Sequence, residues 1–229
     1  LQATGAAIVL RENSAAVLPF EEREEIAMKL KKVISLCHQR KTFRLFDKIS
    51  ENGEIVQWMG DGCAAYPLNG LPILDEETLC AVFDISEKQL KNTSIRRLTM
   101  PDVLNIGDTD PDERVLKDDD FSIIYGGTEV KPLKTRTGIV FIQQKYLAPL
   151  EDVLDVVQLY ERVTPDGQTY VAAKAGLLIA AVIFPYSVIN EKFVTRLEEI
   201  TRESRRALNE PPPVRMMEQD PDQGSVFAE

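Results

Sequence analysis

Two stretches of this chain carry the same pattern. Arg44-Leu-Phe-Asp-Lys-Ile-Ser-Glu-Asn-Gly-Glu-Ile-Val lines up with Gln158-Leu-Tyr-Glu-Arg-Val-Thr-Pro-Asp-Gly-Gln-Thr-Tyr at an offset of about 114 positions, so that Leu45 meets Leu159, Phe46 Tyr160, Asp47 Glu161, Lys48 Arg162, Ile49 Val163 and Gly53 Gly167. Each copy has two strand-like runs around Asn52-Gly53 or Asp166-Gly167. Such a pair predicts a β-hairpin, because glycine supplies the left-handed backbone that tight turns need. A supersecondary unit used twice restricts the fold to two tandem units.

The surroundings of both hairpins match as well. Apolar residues at helical spacing (Ile26, Leu30, Val33, Ile34, Cys37) predict a helix over 21–37 before the first. Gln143–Val156 predicts a helix before the second, interrupted near Pro149. Cys63–Leu68 and Leu177–Phe184 read as strands after the hairpins, the latter buried. Helices follow, one over Glu76–Phe83 capped by Asp75 and one from Asn190 to about Leu208, with Phe193, Leu197, Ile200, Ser204 and Leu208 inward. Thr93–Leu98, Phe121–Tyr125 and Gly138–Ile142 are further strands, and Ala6–Leu10 with Ala15–Leu18 reads as a short hairpin. The fold class is therefore α+β: two tandem related units of helices on antiparallel sheet. Residues 1–100 form the first unit, 101–120 an acidic, solvated linker, 121–209 the second unit, and 210–229 a Pro-rich acidic tail expected to be disordered.

This order of elements resembles the repeating domain of DNA sliding clamps, the rings that tether polymerases to DNA. Gly138–Ile200 carries the likeness: Ile139-Val-Phe-Ile and the following helix resemble a clamp domain's first strand and helix, Val157–Phe184 its next three strands, and Asn190–Ile200 its second helix. The resemblance implies helices that line a hole and present basic residues to duplex DNA. Those residues would be Lys29 and Lys32 in the first unit and Lys192, Arg196, Arg205 and Arg206 in the second, giving sequence-independent, salt-sensitive attraction. The second unit departs from the pattern, because no strands follow its last helix.

Composition excludes several classes. The 229 residues hold 27 Lys and Arg against 37 Asp and Glu, a formal charge of −10, which does not suit a bulk nucleic-acid coat. Cys37, Cys63 and Cys80 form no CxxC pair and sit among apolar neighbours, as expected of buried thiols in a reducing cytoplasm. No run approaches the ~20 apolar residues of a membrane span.

The residue inventory supplies no catalytic residue, cofactor motif or metal site. His38 is the single histidine, and on a helix it points about 100° away from Cys37, so the two cannot pair. Asp108, Asp110 and Asp112 alternate like the start of a calcium loop, but Glu113 replaces the required glycine. Trp58-Met-Gly-Asp-Gly-Cys-Ala-Ala-Tyr is the most unusual stretch: Trp58, Asp61 and Tyr66 either flank a small pocket or belong to a strand-connecting turn with its aromatics in the core. Three functional expectations stand together. They are a non-catalytic cytosolic interaction protein of the sliding-clamp kind that binds replication partners or DNA, with homo-oligomers admitted; an adaptor with protein partners and no DNA role; and an enzyme with a carboxylate site near Asp61 or Asp108.

Overall fold

The computed structural model describes residues 20–50, 52–117 and 121–209. The proposed N-terminal hairpin and the tail from 210 lie outside them. The described residues fall into two compact units, one ending at Tyr186 and one starting at Ser187.

The first unit is α+β. Its elements run α1 (Phe20–Arg40), β1 (Thr42–Ile49), β2 (Ile55–Gly60), β3 (Ala64–Pro67), α2 (Glu76–Val82), α3 (Glu87–Leu90), β4 (Ser94–Thr99), β5 (Arg114–Val115), β6 (Ile123–Tyr125), β7 (Thr128–Thr135), β8 (Gly138–Gln143), a 3-10 helix η1 (Gln144–Val156), β9 (Val157–Val163), β10 (Thr169–Ala175) and β11 (Leu178–Ile183). Eight strands form one sheet in the order β4-β1-β2-β3-β11-β10-β9-β5, and β6-β7-β8 form a second. β1-β2-β3 and β9-β10-β11 are antiparallel meanders, and they meet where β3 pairs with β11 through Ala65↔Val182 and Ala64↔Ile183. The sheet is mixed rather than purely antiparallel. β4 returns to β1 after β2, β3 and two short helices, and that crossover lets it run parallel, Thr42↔Ser94 to Asp47↔Thr99.

The two hairpins close in the same way. Ser50 N–H donates to Glu54 O at 2.8 Å and Gly53 N–H to Ser50 O at 2.9 Å. In the other, Thr164 N–H donates to Gln168 O at 2.9 Å and Gly167 N–H to Thr164 O at 2.8 Å. Gly53 and Gly167 have φ of +79° and +84°, where an L side chain is strained. Gly53→Ala and Gly167→Ala should each therefore cost about 1 kcal/mol, measured by chemical denaturation. A loss at only one of them would show that the turns are energetically unlike.

Alternation along the strands supplies two cores. On one face Phe43, Leu45, Met59, Tyr66, Val171, Ala173, Ala181 and Ile183 pack with Val33, Leu36 and Cys37 of α1 and Tyr146, Leu147 and Leu150 of η1. On the other, Trp58, Ala65, Tyr170, Ala172, Ile179 and Val182 pack under Met100, Leu104 and Ile106. The segment read above as a solvated linker thus buries Leu104, Ile106 and Leu116 and pairs β5 to β9. Its Asp108 and Asp110 are used internally: Asp108 Oδ1 accepts from Ile179 N–H at 2.8 Å, and Asp110 from Asn105 Nδ2 at 3.0 Å and Asp112 N–H at 2.9 Å.

Three further expectations need correction. η1 is 3-10 throughout rather than an α-helix broken at Pro149. Leu147, Leu150 and Val153, spaced three apart, eclipse one another on its inner side, as 3-10 geometry requires. The strand read as buried from Leu177 starts exposed, with Leu177 at 83% and Leu178 at 63%. In the second unit α4 (Glu191–Asn209) is capped as expected, Asn190 Oδ1 accepting from Phe193 N–H at 3.0 Å, and Phe193 is buried; Ile200, Ser204 and Leu208, expected inward, are exposed.

Candidate functional site

Asp61 is the most constrained carboxylate flagged by sequence. Its turn connects β2 to β3 and has no room for a side chain on Gly60, where a Cβ would come 1.8 Å from the Ala64 carbonyl oxygen. Asp61 Oδ1 accepts from Cys63 N–H at 2.8 Å and Ala64 N–H at 3.2 Å, and Oδ2 accepts from the Tyr146 hydroxyl at 2.8 Å. Arg40, at the end of α1, brings its Nε to 3.6 Å from Oδ2 and donates from Nη1 to Cys63 Sγ at 3.0 Å. Tyr66 donates to the Tyr146 carbonyl at 2.7 Å. One carboxylate thus ties the β2–β3 turn to α1 and η1, a junction formed from residues up to 106 positions apart, Arg40 to Tyr146.

Burial and the Asp61 charge both disfavour ionisation of the neighbouring thiol and phenols. Burial pushes the Cys37 thiol from 9.0 up to about 12, and the Asp61 charge pushes the same way. Burial, then the Asp61 charge, raises Tyr66; burial, then the hydrogen bond and charge of Asp61, raises Tyr146. The thiol and both phenols therefore stay neutral near pH 7, as donors or apolar filling and not as nucleophiles or bases.

Trp58 does not join this site. Met59 and Tyr66 pair across β2 and β3 on the face that holds Tyr146, whereas Trp58 pairs with Pro67 and belongs to the opposite core. The expected pocket residues therefore divide, Asp61 and Tyr66 on one face and Trp58 on the other. The Trp58 indole N–H has no acceptor among the described residues.

The candidate DNA-facing residues belong to two elements, α1 and α4. The Lys29 side chain lies outside the described residues. Lys32 pairs with Glu151 of η1 at 2.7 Å, and Asp152 also raises its pKa, a smaller effect than that hydrogen bond. Lys192, Arg196, Arg205 and Arg206 all lie on α4, in the second unit. Arg196 pairs with Glu199 at 2.6 Å, and helical spacing intersperses Glu199 and Glu203 among Lys192, Arg196 and Arg206.

A second polar cluster has no counterpart in the sequence reading. Arg162 of β9, its side chain 0% exposed, donates from Nε to Glu113 Oε2 at 2.9 Å and from a terminal nitrogen to the carbonyls of Asn105 and Gly107 at 2.9 and 2.8 Å. Lys174 Nζ reaches Glu113 Oε1 at 2.7 Å and lies 4.6 Å from the centre of the Tyr160 ring. Next to it Glu161, wholly buried, accepts from Arg136 N–H with both oxygens at 3.1 and 3.2 Å. The available sign was charge at positions that alternation assigns to a buried strand: Arg162 and Lys174 flank the hairpin.

Among the described residues no group of three His, Cys, Asp or Glu side chains could hold a metal ion, and no helix is long and apolar enough to cross a membrane. No family model, no curated protein and no solved structure matches the chain.

Proposed function

We propose that this chain is a non-catalytic interaction protein that engages a protein partner at the end of the sheet where η1 runs into β9 and β10 turns into β11. The observation that carries this reading is an apolar group exposed there: Leu154 at 40%, Val156 at 59%, Leu177 at 83% and Leu178 at 63%. Gly176 N–H bonds to Val156 O at 3.4 Å and Ala175 pairs with both Leu178 and Val157, so these side chains come from adjoining backbone. Contiguous apolar surface of this kind mostly marks contact sites. The engagement of Asp61 and Asp108 with the chain's own donors supports a binding role over a carboxylate-based reaction.

Leu177→Glu with Leu178→Glu, two changes at exposed positions, should leave the melting temperature within a few degrees of native. In affinity capture it should lose a partner, or a second copy, that the native chain retains at stoichiometric level. Identical sets captured by both forms would overturn the reading.

The sliding-clamp reading is favoured by a different observation, the matching closure of the hairpins at Gly53 and Gly167 within meanders that meet at β3 and β11. It expects retention on duplex DNA at low salt that Arg196→Glu with Arg206→Glu weakens. A native chain that is not retained at any ionic strength contradicts it.

A further inference from the structure

On the sheet face opposite α1 and η1, the first unit has a partly open cavity of about 160 Å³. Its wall is apolar, with Phe46 and Ala65 below and Leu104, Ile106 and Phe184 around it, and Arg44 is the one charged residue lining it. A dry cavity of about 150 Å³ accommodates benzene, so this one has room for a body of about six carbons.

The charge at one end of this face is unbalanced. Arg44 of β1 and Arg96 of β4 are register partners on adjacent parallel strands, so their side chains leave the same face about 4.8 Å apart. Arg97, on the other face, is matched by Asp47 at 2.6 Å. Among the described residues neither Arg44 nor Arg96 has a carboxylate partner, although like charges placed side by side across strands repel. The Arg44 guanidinium also packs against the β2–β3 turn. It lies over Gly62, where a Cβ would come 2.7 Å from its central carbon, so the turn leaves a space that this side chain occupies. Half-buried, it borders the apolar wall instead of extending into solvent.

We propose that this cavity binds a small monocarboxylate, its apolar body against Phe46, Ala65 and Leu104 and its carboxylate on the guanidinium of Arg44, with Arg96 on the neighbouring strand adding positive charge outside the cavity wall. A guanidinium fork matches a carboxylate in two parallel hydrogen bonds and balances its single charge, and the second arginine adds attraction from the neighbouring strand. Nothing in this depends on the protein-partner reading, whose surface lies elsewhere on the unit.

The chain's single tryptophan supplies the measurement. Trp58 belongs to the buried cluster that includes Ala65, Met100, Leu104, Ile106 and Val182 of the cavity wall, and it pairs across the strands with Phe46. Hexanoate titrated into the full chain should change Trp58 emission saturably, with hexanol at least tenfold weaker. Arg44→Met, which keeps an apolar stem, should raise the hexanoate Kd at least tenfold and leave the hexanol Kd within twofold. Ala65→Leu, which fills the cavity, should abolish both responses while the protein still melts cooperatively. If Arg44→Met does not melt cooperatively, Arg96→Gln, at an exposed position, takes its place with a weaker effect of the same sign. No saturable hexanoate response in the native chain would overturn the proposal, and so would hexanoate and hexanol binding alike, or hexanoate binding unchanged by the arginine substitution.

Discussion

Glu113→Ala is expected to be among the most damaging single substitutions in the chain, at about 3–5 kcal/mol in urea unfolding, because it leaves two charges buried without their counter-ion. Glu113 is the carboxylate that both Arg162 and Lys174 meet, and their side chains are 0% and 7% exposed. Arg162 would keep its bonds to the Asn105 and Gly107 carbonyls, but these neutralise no charge. The loss should appear locally too, as faster amide exchange at Leu116, whose N–H bonds to Leu159 O at 2.7 Å. Removing the whole triad in Glu113→Leu with Arg162→Met and Lys174→Met should recover part of the stability, since buried ions are costly mainly when one is left without its partner. A Glu113→Ala cost below about 1 kcal/mol would place this cluster among ordinary surface ion pairs.

The same network sets an acid limit. Burial alone would raise the Glu113 carboxyl, but hydrogen bonds from Lys174 and Arg162 outweigh it and hold the group below its ordinary value of 4.5. A carboxyl with a depressed folded pKa stabilises fully above its unfolded value and loses that contribution as pH falls through the folded one. The native chain should therefore lose stability below about pH 4.5, and Glu113→Gln should lose less over the same interval.

Asp61→Ala is the second large effect, at about 3–4 kcal/mol, because it strips the acceptor from two backbone N–H groups and the Tyr146 hydroxyl in a site that is almost wholly buried. Asp61→Asn should cost less, about 1–2 kcal/mol. The amide oxygen can still receive the N–H groups of Cys63 and Ala64, and the Tyr146 hydroxyl can rotate to accept from the amide nitrogen. What Asn cannot replace is the charge opposite Arg40. Equal costs for Asn and Ala would mean that the charge, and not the acceptor geometry, holds the β2–β3 turn. Catalytic use of Asp61 would predict something further, a folded Asn variant that has lost an activity.

Much of the fold could be read from the residues because local chemistry determined it. The hairpins at Gly53 and Gly167 follow from turn residues between alternating runs, and α2 starts where Asp75 and Thr78 exchange side-chain and backbone bonds. β7 was not legible. It carries Pro132 in a stretch that also holds Glu129, Lys131 and Lys134, a pattern that argues against a strand. The proline is tolerated because β6 pairs with β7 only as far as Val130, leaving β8 as the single paired neighbour at Pro132. The parallel return of β4 could not be read either, since its partner is 52 positions away at Thr42↔Ser94 and no local preference distinguishes the two directions. The 3-10 form of η1 did leave a trace: Leu147, Leu150 and Val153 recur at three, a period that an α-helix does not sustain.

The candidate site divided along the same line. Asp61 stood out because glycines flank it, but its partners Arg40 and Tyr146 come from separate elements, so spacing alone could not assemble them. Arg44 and Arg96 became neighbours only once β4 was placed beside β1. The exposure of Leu177 and Leu178 contradicts what hydropathy implies for an apolar run, and surface that departs from pattern in this way is where function is to be sought.

Affinity capture with the native chain and with Leu177→Glu, Leu178→Glu, run side by side on equal amounts of folded protein, addresses that surface most directly. The binding role predicts a stoichiometric partner present with the first and absent with the second. The same partners on both forms, or none specific to the native chain, would contradict it.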